Sequence, residues 1–423
     1  MKNFQDYLVS ITLQEPVCIA AQKGVGNVIP TLDYIPGSSV RGALAELWLQ
    51  TNGQPVGDGR FTFKTKAERA KFEEIFLSDG ARFGNCTKEQ ALIVPRTAAS
   101  CKHNRGFPPP KHGVHNLLFA GAAAALTPNH QALNQSCGEC GKLGALEPFA
   151  GYYLRESRAM RTVTVQKRFM ARTRISEYFD TAHHGALYTR EALEAKQIFS
   201  GKLRLPSQAD GDFFGNLLAE QDFAVHFGAA KSRSTGRVKL EISIWPEDRE
   251  VPFSQRFDDL QKIFAAPPGC FWPLTAISDL IVRDDFLRCK SWLDIADVQK
   301  AALQHLAKLG APPDELERTR QILATFELAR GWSAIHQVSG WQAAWRLPKF
   351  DETAIAAGSV FLFYRPDPPT LDDAPPAAGG KSEREIFLQA MQALEDWGLG
   401  ERCNEGFGQL SICDHFHLGE KWS

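Results

Sequence analysis

The chain has 423 residues, 43% of them hydrophobic and 23% charged, with a formal net charge of −1. At roughly 100–200 residues per domain, this length fits about two soluble domains with insertions, each able to bury a core of its own. Near-neutral charge excludes a uniformly basic polyanion binder, so any such site rests on local clusters.

In chain order, residues 7–20 mix apolar and polar positions as a half-buried strand does. Tyr34-Ile35-Pro36-Gly37-Ser38-Ser39-Val40-Arg41-Gly42 follows. Pro-Gly marks a turn, and Ser38 or Ser39 is placed to cap a helix over residues 43–49. A helix start carries orphan N–H groups and partial positive charge. Ser38, Ser39 and Arg41 beside it suit a sugar-phosphate backbone, with a plain N-cap as the competing reading.

Residues 82–151 are irregular and predict an insertion with too little periodicity for a core of its own. They contain four cysteines. Cys137-Gly138-Glu139-Cys140 is a C-x₂-C knuckle, whose spacing lets two thiolates share one tetrahedral ion. Cys101 is the best third ligand and Cys86 the tidiest fourth, with His103, His112 and His115 competing for that place. A structural zinc would hold a segment that lacks its own core. The remaining thiols, Cys18, Cys270, Cys289, Cys403 and Cys413, read as ordinary buried or partly buried ones. Nine cysteines, an odd number, and a start without an apolar signal segment fit a reducing cytoplasm. No run approaches the roughly 20 apolar residues of a membrane span, and no membrane partner is expected.

Between residues 155 and 174 lie Arg155, Arg158, Arg161, Lys167, Arg168, Arg172 and Arg174, with Glu156 as the one acid among them. This is a local basic stripe, and Phe169, Tyr152 and Tyr153 are available for stacking on bases. His183-His184 reads as a hydrogen-bonded or surface pair before it reads as acid–base machinery. Residues 203–244 look like strands joined by a loop over 228–236, where Lys231, Ser232, Arg233, Ser234, Gly236 and Arg237 form the mixture used in RNA backbone contacts.

A helical stretch is expected over 295–332, broken near 310–313, then a Pro/Ala/Gly/Asp-rich loop over 366–381 and a helix over 383–397. Gly398-Leu399-Gly400-Glu401-Arg402-Cys403-Asn404-Glu405-Gly406-Phe407-Gly408 comes next, a pair of Gly-apolar-Gly units five residues apart, followed by a strand over 409–413. Such a loop offers backbone N–H groups to phosphate oxygens, with Arg402 adding charge and Phe407 lying between the last glycines. Two blocks result, 1–248 with the insertion at about 82–151, and 249–423.

The terminal glycine segment resembles the glycine-rich loop of the RAMP superfamily of CRISPR-associated proteins. Residues 35–44 resemble that superfamily's IPGSS-type signature, and 231–238 resemble its internal Ser/Arg/Gly loop. Gly340-Trp341, Trp345-Arg346-Leu347-Pro348 and Ala357-Gly358-Ser359-Val360 resemble the second domain of the larger, Cas-five-like members, best the Csx-ten-like subunit of subtype III-D. The resemblance implies ferredoxin-like (RRM-type) domains, and the fold expected is α+β with two of them, the zinc-binding segment read from the cysteines being inserted in the first. It implies a non-catalytic RNA-binding subunit of a type III effector complex that caps the crRNA 5′ handle in antiviral defence. Its partners would be crRNA, target RNA through the assembled complex, the polymerase-type large subunit and backbone RAMP subunits. The alternative is a Cas6-type endoribonuclease that processes repeat RNA, needing a base such as His183 or His184. A target-slicing backbone subunit would need an aspartate such as Asp33 or Asp180.

Overall fold

The computed structural model describes residues 4–21, 28–57, 60–78, 80–107, 111–126, 136–140, 144–156, 159–175, 182–220, 225–228, 235–246, 251–264, 269–342, 347–368, 370–374, 380–419 and 421–422. For residues 60, 172, 174–175, 182–187, 220, 341–342 and 421 it describes the backbone alone.

Gln5–Leu13 is the central strand of the first sheet. Its alternation sends Tyr7, Val9, Ile11 and Leu13 into the core and leaves Asp6, Leu8, Ser10 and Thr12 half-buried on the other face. Ile198–Leu205 and Arg237–Ile244 flank it, both antiparallel. Arg82–Phe83 and Thr87–Lys88 pair beyond Ile198–Leu205. Helix Gly37–Asn52 follows the first strand and helix Gln208–Glu220 follows the third. Counted by sequence, the strand order is fourth-first-third-second, a βαββαβ unit.

The second sheet repeats this plan. Cys270–Ala276 lies between Leu410–Ile412 and Val360–Arg365, with Glu327–Trp332 outermost, all antiparallel. Helices Ile295–Lys308 and Pro313–Ala324 follow its first strand, and Glu383–Trp397 follows its third. Two of these helices begin with capping boxes, Asp294 with Asp297 and Ser382 with Glu385. Fully buried Trp272, Phe361, Phe363 and Phe387 dominate the core, each side chain contributing about 1.5–3 kcal/mol. No described helix is long and apolar enough to cross a membrane.

Four expectations change. Residues 203–244 contain helix Gln208–Glu220 as well as strands, and the helical stretch ends at Ala324, before strand Glu327–Trp332. The β-rich reading overlooked that Phe213, Phe214, Leu217 and Leu218 recur at i, i+1, i+4 and i+5, the spacing of one helix face. Helix Gly37–Asn52 starts earlier than expected, with Pro36 as its N-cap and no side-chain cap, so Ser38 and Ser39 lie inside its first turn.

The fourth change concerns the insertion. Arg82–Phe83 and Thr87–Lys88 belong to the first sheet, and the residues between them and Ile198 build further sheets. One comprises Leu146–Pro148, Ala98–Cys101, Val114–Asn116 and Lys421–Trp422. The insertion has a core of its own: Val94, Ala98, Phe107, Val114, Phe149, Tyr153, Met160 and Phe416, with Trp422 packed against it. Periodicity hid this core because short strands and a distant stretch of chain supply it.

Candidate nucleic-acid interface and metal centre

The glycine-rich loop lies between the two βαββαβ units. Gly406, at φ 99°, faces Gly37 and Phe83 of the first unit so closely that an added Cβ would stand 2.5 Å from Asn85 Oδ1 and 3.0 Å from Gly37 N. Asn85 Oδ1 accepts the Gly37 N–H at 2.9 Å, so a side chain satisfies this orphan donor of the helix start. Gly398, Gly406 and Gly408 are buried and Gly400 is exposed. Gly408 donates its N–H to the Asp279 carbonyl, and Phe407 packs on Ile281, Val338 and Ala354.

Glu405, 9% exposed, gathers three cations. Lys349 Nζ donates to both carboxylate oxygens at 2.8 Å. Arg402 Nη2 donates at 2.7 Å and Arg41 Nη1 at 3.1 Å. Burial pushes the Glu405 carboxyl up, but Arg402 and Lys349 outweigh it and hold the group below the usual carboxylate range. Arg41 also donates to the Phe76 carbonyl, and Arg402 to Glu352 at 2.6 Å. The two arginines expected to meet RNA are therefore tied into the joint between the units, and Ser38 and Ser39 are half-buried beside it. A second tie is Arg204, bonded to both Asp6 and Asp396.

The described end of the Ser/Arg/Gly loop, residues 235–237, lies elsewhere. Phe83 pairs with Leu203, which pairs with Tyr7, whereas Gly236 donates to the carbonyl of Pro16. At about 3.3 Å per residue, the two loops sit roughly 20–30 Å apart along the first strand. The described end of the Ser/Arg/Gly loop therefore stands away from the joint that holds the other two loops. Lys231, Ser232, Arg233 and Ser234 fall outside the described residues, while Gly236, at φ 95°, and the exposed Arg237 are in place.

The basic stripe gathers on the Ser/Arg/Gly side. Lys167–Ile175 and Ala182–Leu193 form a hairpin, and Leu193 bridges to Val17. Arg168 is half exposed and Phe169 is 69% exposed. In register, Arg168, Met170 and Arg172 stand opposite Ala192, Arg190 and Tyr188. Arg190 lies 5.3 Å from the Tyr188 ring. The backbone of Arg174 continues the same strand, and His183 and His184 lie on the return strand; the side chains of these three lie outside the described residues. Part of the stripe is neutralised: Arg161 by neighbouring Glu156 and distant Glu89, and Lys167 by distant Asp33 and Glu191.

The cysteines converge, with one exchange. Cys101, His112, Cys137 and Cys140 place their ligand atoms within 4.8 Å of one another, and this group can hold a metal ion. Cys101 Sγ is 3.6 Å from Cys140 Sγ, and His112 Nδ1 is 3.4 Å from Cys137 Sγ and 3.3 Å from Cys140 Sγ. Tetrahedral zinc, with bonds near 2.3 Å to sulfur and 2.0 Å to nitrogen, needs edges of about 3.8 and 3.5 Å. The Asn104 N–H lowers the Cys101 thiol to about 6, while neighbouring Cys101 pushes Cys140 up to about 11. Gly144 is needed at the knuckle, since an added Cβ would lie 2.4 Å from Cys140 Cβ. Cys86 is not the fourth ligand: it is buried in the first unit's core, bridged to Ile35, where desolvation pushes its thiol up to about 12.

Sequence reading missed His336 with Asp279. His336 Nδ1 lies 2.7 Å from Asp279 Oδ2, whose other oxygen accepts the Ala357 N–H. The hydrogen bond raises the His336 pKa. No local motif marks this pair, because 57 residues separate its members.

Paired βαββαβ units with a glycine-rich loop at their joint define a double α+β protein of the kind the sequence signatures imply. A family model described as the RAMP superfamily matches residues 11–239, more than half of the chain, and the chain belongs to that superfamily. No curated protein matches it in sequence. Among solved structures, it is similar to a chain of the type III-B Cmr-beta complex bound to cognate target RNA and AMPPnP, at 12% identity over 84% of this chain and 86% of that one, with a TM-score of 0.36. It is also similar to Thermus thermophilus Cas6, at 8% identity over 97% and 98%, TM-score 0.35. A Cas6 product complex gives 10% identity over 97% and 100%, TM-score 0.37. Likenesses this distant do not bear on function.

Proposed function

We propose that the chain is a non-catalytic RNA-binding subunit of a type III CRISPR effector complex, of the Csx-ten-like kind, that caps the crRNA at its 5′ handle. Its partners on this reading are crRNA, the polymerase-type large subunit and the backbone RAMP subunits, with target RNA reached through the assembled complex. One observation carries the reading beyond family membership. The hairpin bearing Arg168, Phe169 and Arg190 and the loop end bearing Arg237 are both anchored on the short stretch from Leu13 to Cys18. The exposed Arg168 and Arg237 guanidiniums, with half-buried Arg190 and Tyr188 on the Arg168 face and exposed Phe169 on the other face of the hairpin, suit phosphates and splayed bases of a single-stranded RNA. The metal is zinc, held by Cys101, His112, Cys137 and Cys140 in a structural role.

The test is RNA binding by chain and complex across a salt series. Arg168→Ala and Arg237→Ala are expected to weaken binding of handle-containing RNA. Each should also make the salt slope shallower by up to about 0.7 log units, the share of one phosphate on a single strand. Arg41→Ala is expected to lower stability and leave the salt slope unchanged. Unchanged affinity and slope in both surface variants would overturn the assignment of this surface.

A further inference from the structure

The metal centre sits where the insertion captures residues 415–422. Cys101 ends strand Ala98–Cys101, His112 stands two residues before Val114–Asn116, and the knuckle leads into Leu146–Pro148. One ion at these four ligands therefore ties together three of the four strands of their sheet. The fourth strand is Lys421–Trp422, paired to Val114 and His115. Phe416, fully buried, belongs to the insertion's core, and Trp422 Nε1 donates to the Phe416 carbonyl at 2.9 Å. Asn116 Nδ2 donates to the Gly419 carbonyl at 2.9 Å. Buried His417 lies 3.2 Å from Thr275 Oγ1, on the central strand of the second unit.

We infer that zinc binding and the docking of residues 415–422 are thermodynamically coupled, so that the metal controls whether this segment closes the insertion onto the second unit. This rests on the zinc reading above. The reasoning is local: without the ion, strands of two to four residues around a small core have little to hold their register. The docked segment supplies Phe416 to that same core, so each event stabilises the surface the other uses. Such coupling is reciprocal, and whatever factor zinc adds to docking, docking adds to zinc affinity.

The test uses the full chain under reducing conditions, with zinc ion as the probe and a chromogenic chelator as competitor. Trp422→Ala trims a partly buried ring and leaves the four ligands in place. It is expected to weaken zinc binding by about tenfold, within the usual range for coupled sites. Phe350→Ala, a 93% exposed side chain, is expected to leave zinc affinity unchanged. In the parent, zinc removal is expected to speed proteolysis within residues 415–422 by about tenfold or more, and zinc return to reverse it. If the parent binds no zinc, the metal reading itself fails. If it binds zinc but Trp422→Ala matches the parent in affinity, or the segment stays protected after zinc removal, the coupling is wrong and the metal site stands.

Discussion

Replacing Gly406 by alanine tests whether the glycine-rich loop is a joint between the two units. Two costs add. At φ 99° an L side chain is strained by about 1–2 kcal/mol, less what alanine gains by restricting the unfolded chain. The new Cβ would also stand 2.5 Å from Asn85 Oδ1 and 3.1 Å from the Phe83 carbonyl, displacing the acceptor of the Gly37 N–H. Leaving that donor unsatisfied costs about 1–3 kcal/mol. The total is about 2–4 kcal/mol. Gly310→Ala supplies the control, since Gly310 has φ 87° with nothing within 4 Å of its added Cβ, leaving about 1 kcal/mol. Urea denaturation at matched slopes reads the difference, expected at about 1–3 kcal/mol. Equal destabilisation by the two variants would refute the close-approach argument.

Purified protein is expected to carry about one zinc per chain, lost in Cys137→Ser with local protease resistance; metal-free protein from a chelator-free preparation would contradict the assignment. His336, held above its ordinary value by its hydrogen bond to Asp279 and only partly opposed by burial, contributes stability fully present below about pH 6.5 and lost as pH rises through its folded value. Its ring signals in nuclear magnetic resonance should therefore titrate above about pH 6.5, and a midpoint at or below that value would show the pair unformed. The purified chain is expected to leave repeat RNA and target RNA intact, and a reproducible metal-independent cleavage abolished by His184→Ala would replace the capping reading with the processing one.

What the sequence by itself determined was local: the glycine punctuation after a helix, the Pro-Gly turn into a helix, the C-x₂-C knuckle, and the basic stripe. Each is written in neighbouring residues whose spacing fixes turn chemistry, ligand reach or charge density. Only the tertiary structure decided what those features face. Arg41 and Glu405 are 364 residues apart in sequence, and their meeting turns an anticipated phosphate contact into a tie between two units. Asp33, Glu89 and Glu191 neutralise cations that look unopposed within their own stretch. His112 displaced Cys86 because strand pairing, not residue spacing, brings a fourth ligand to the knuckle. Phe416 completes a core begun more than 300 residues earlier, a partnership no periodicity carries, since burial is won across the fold and not along the chain.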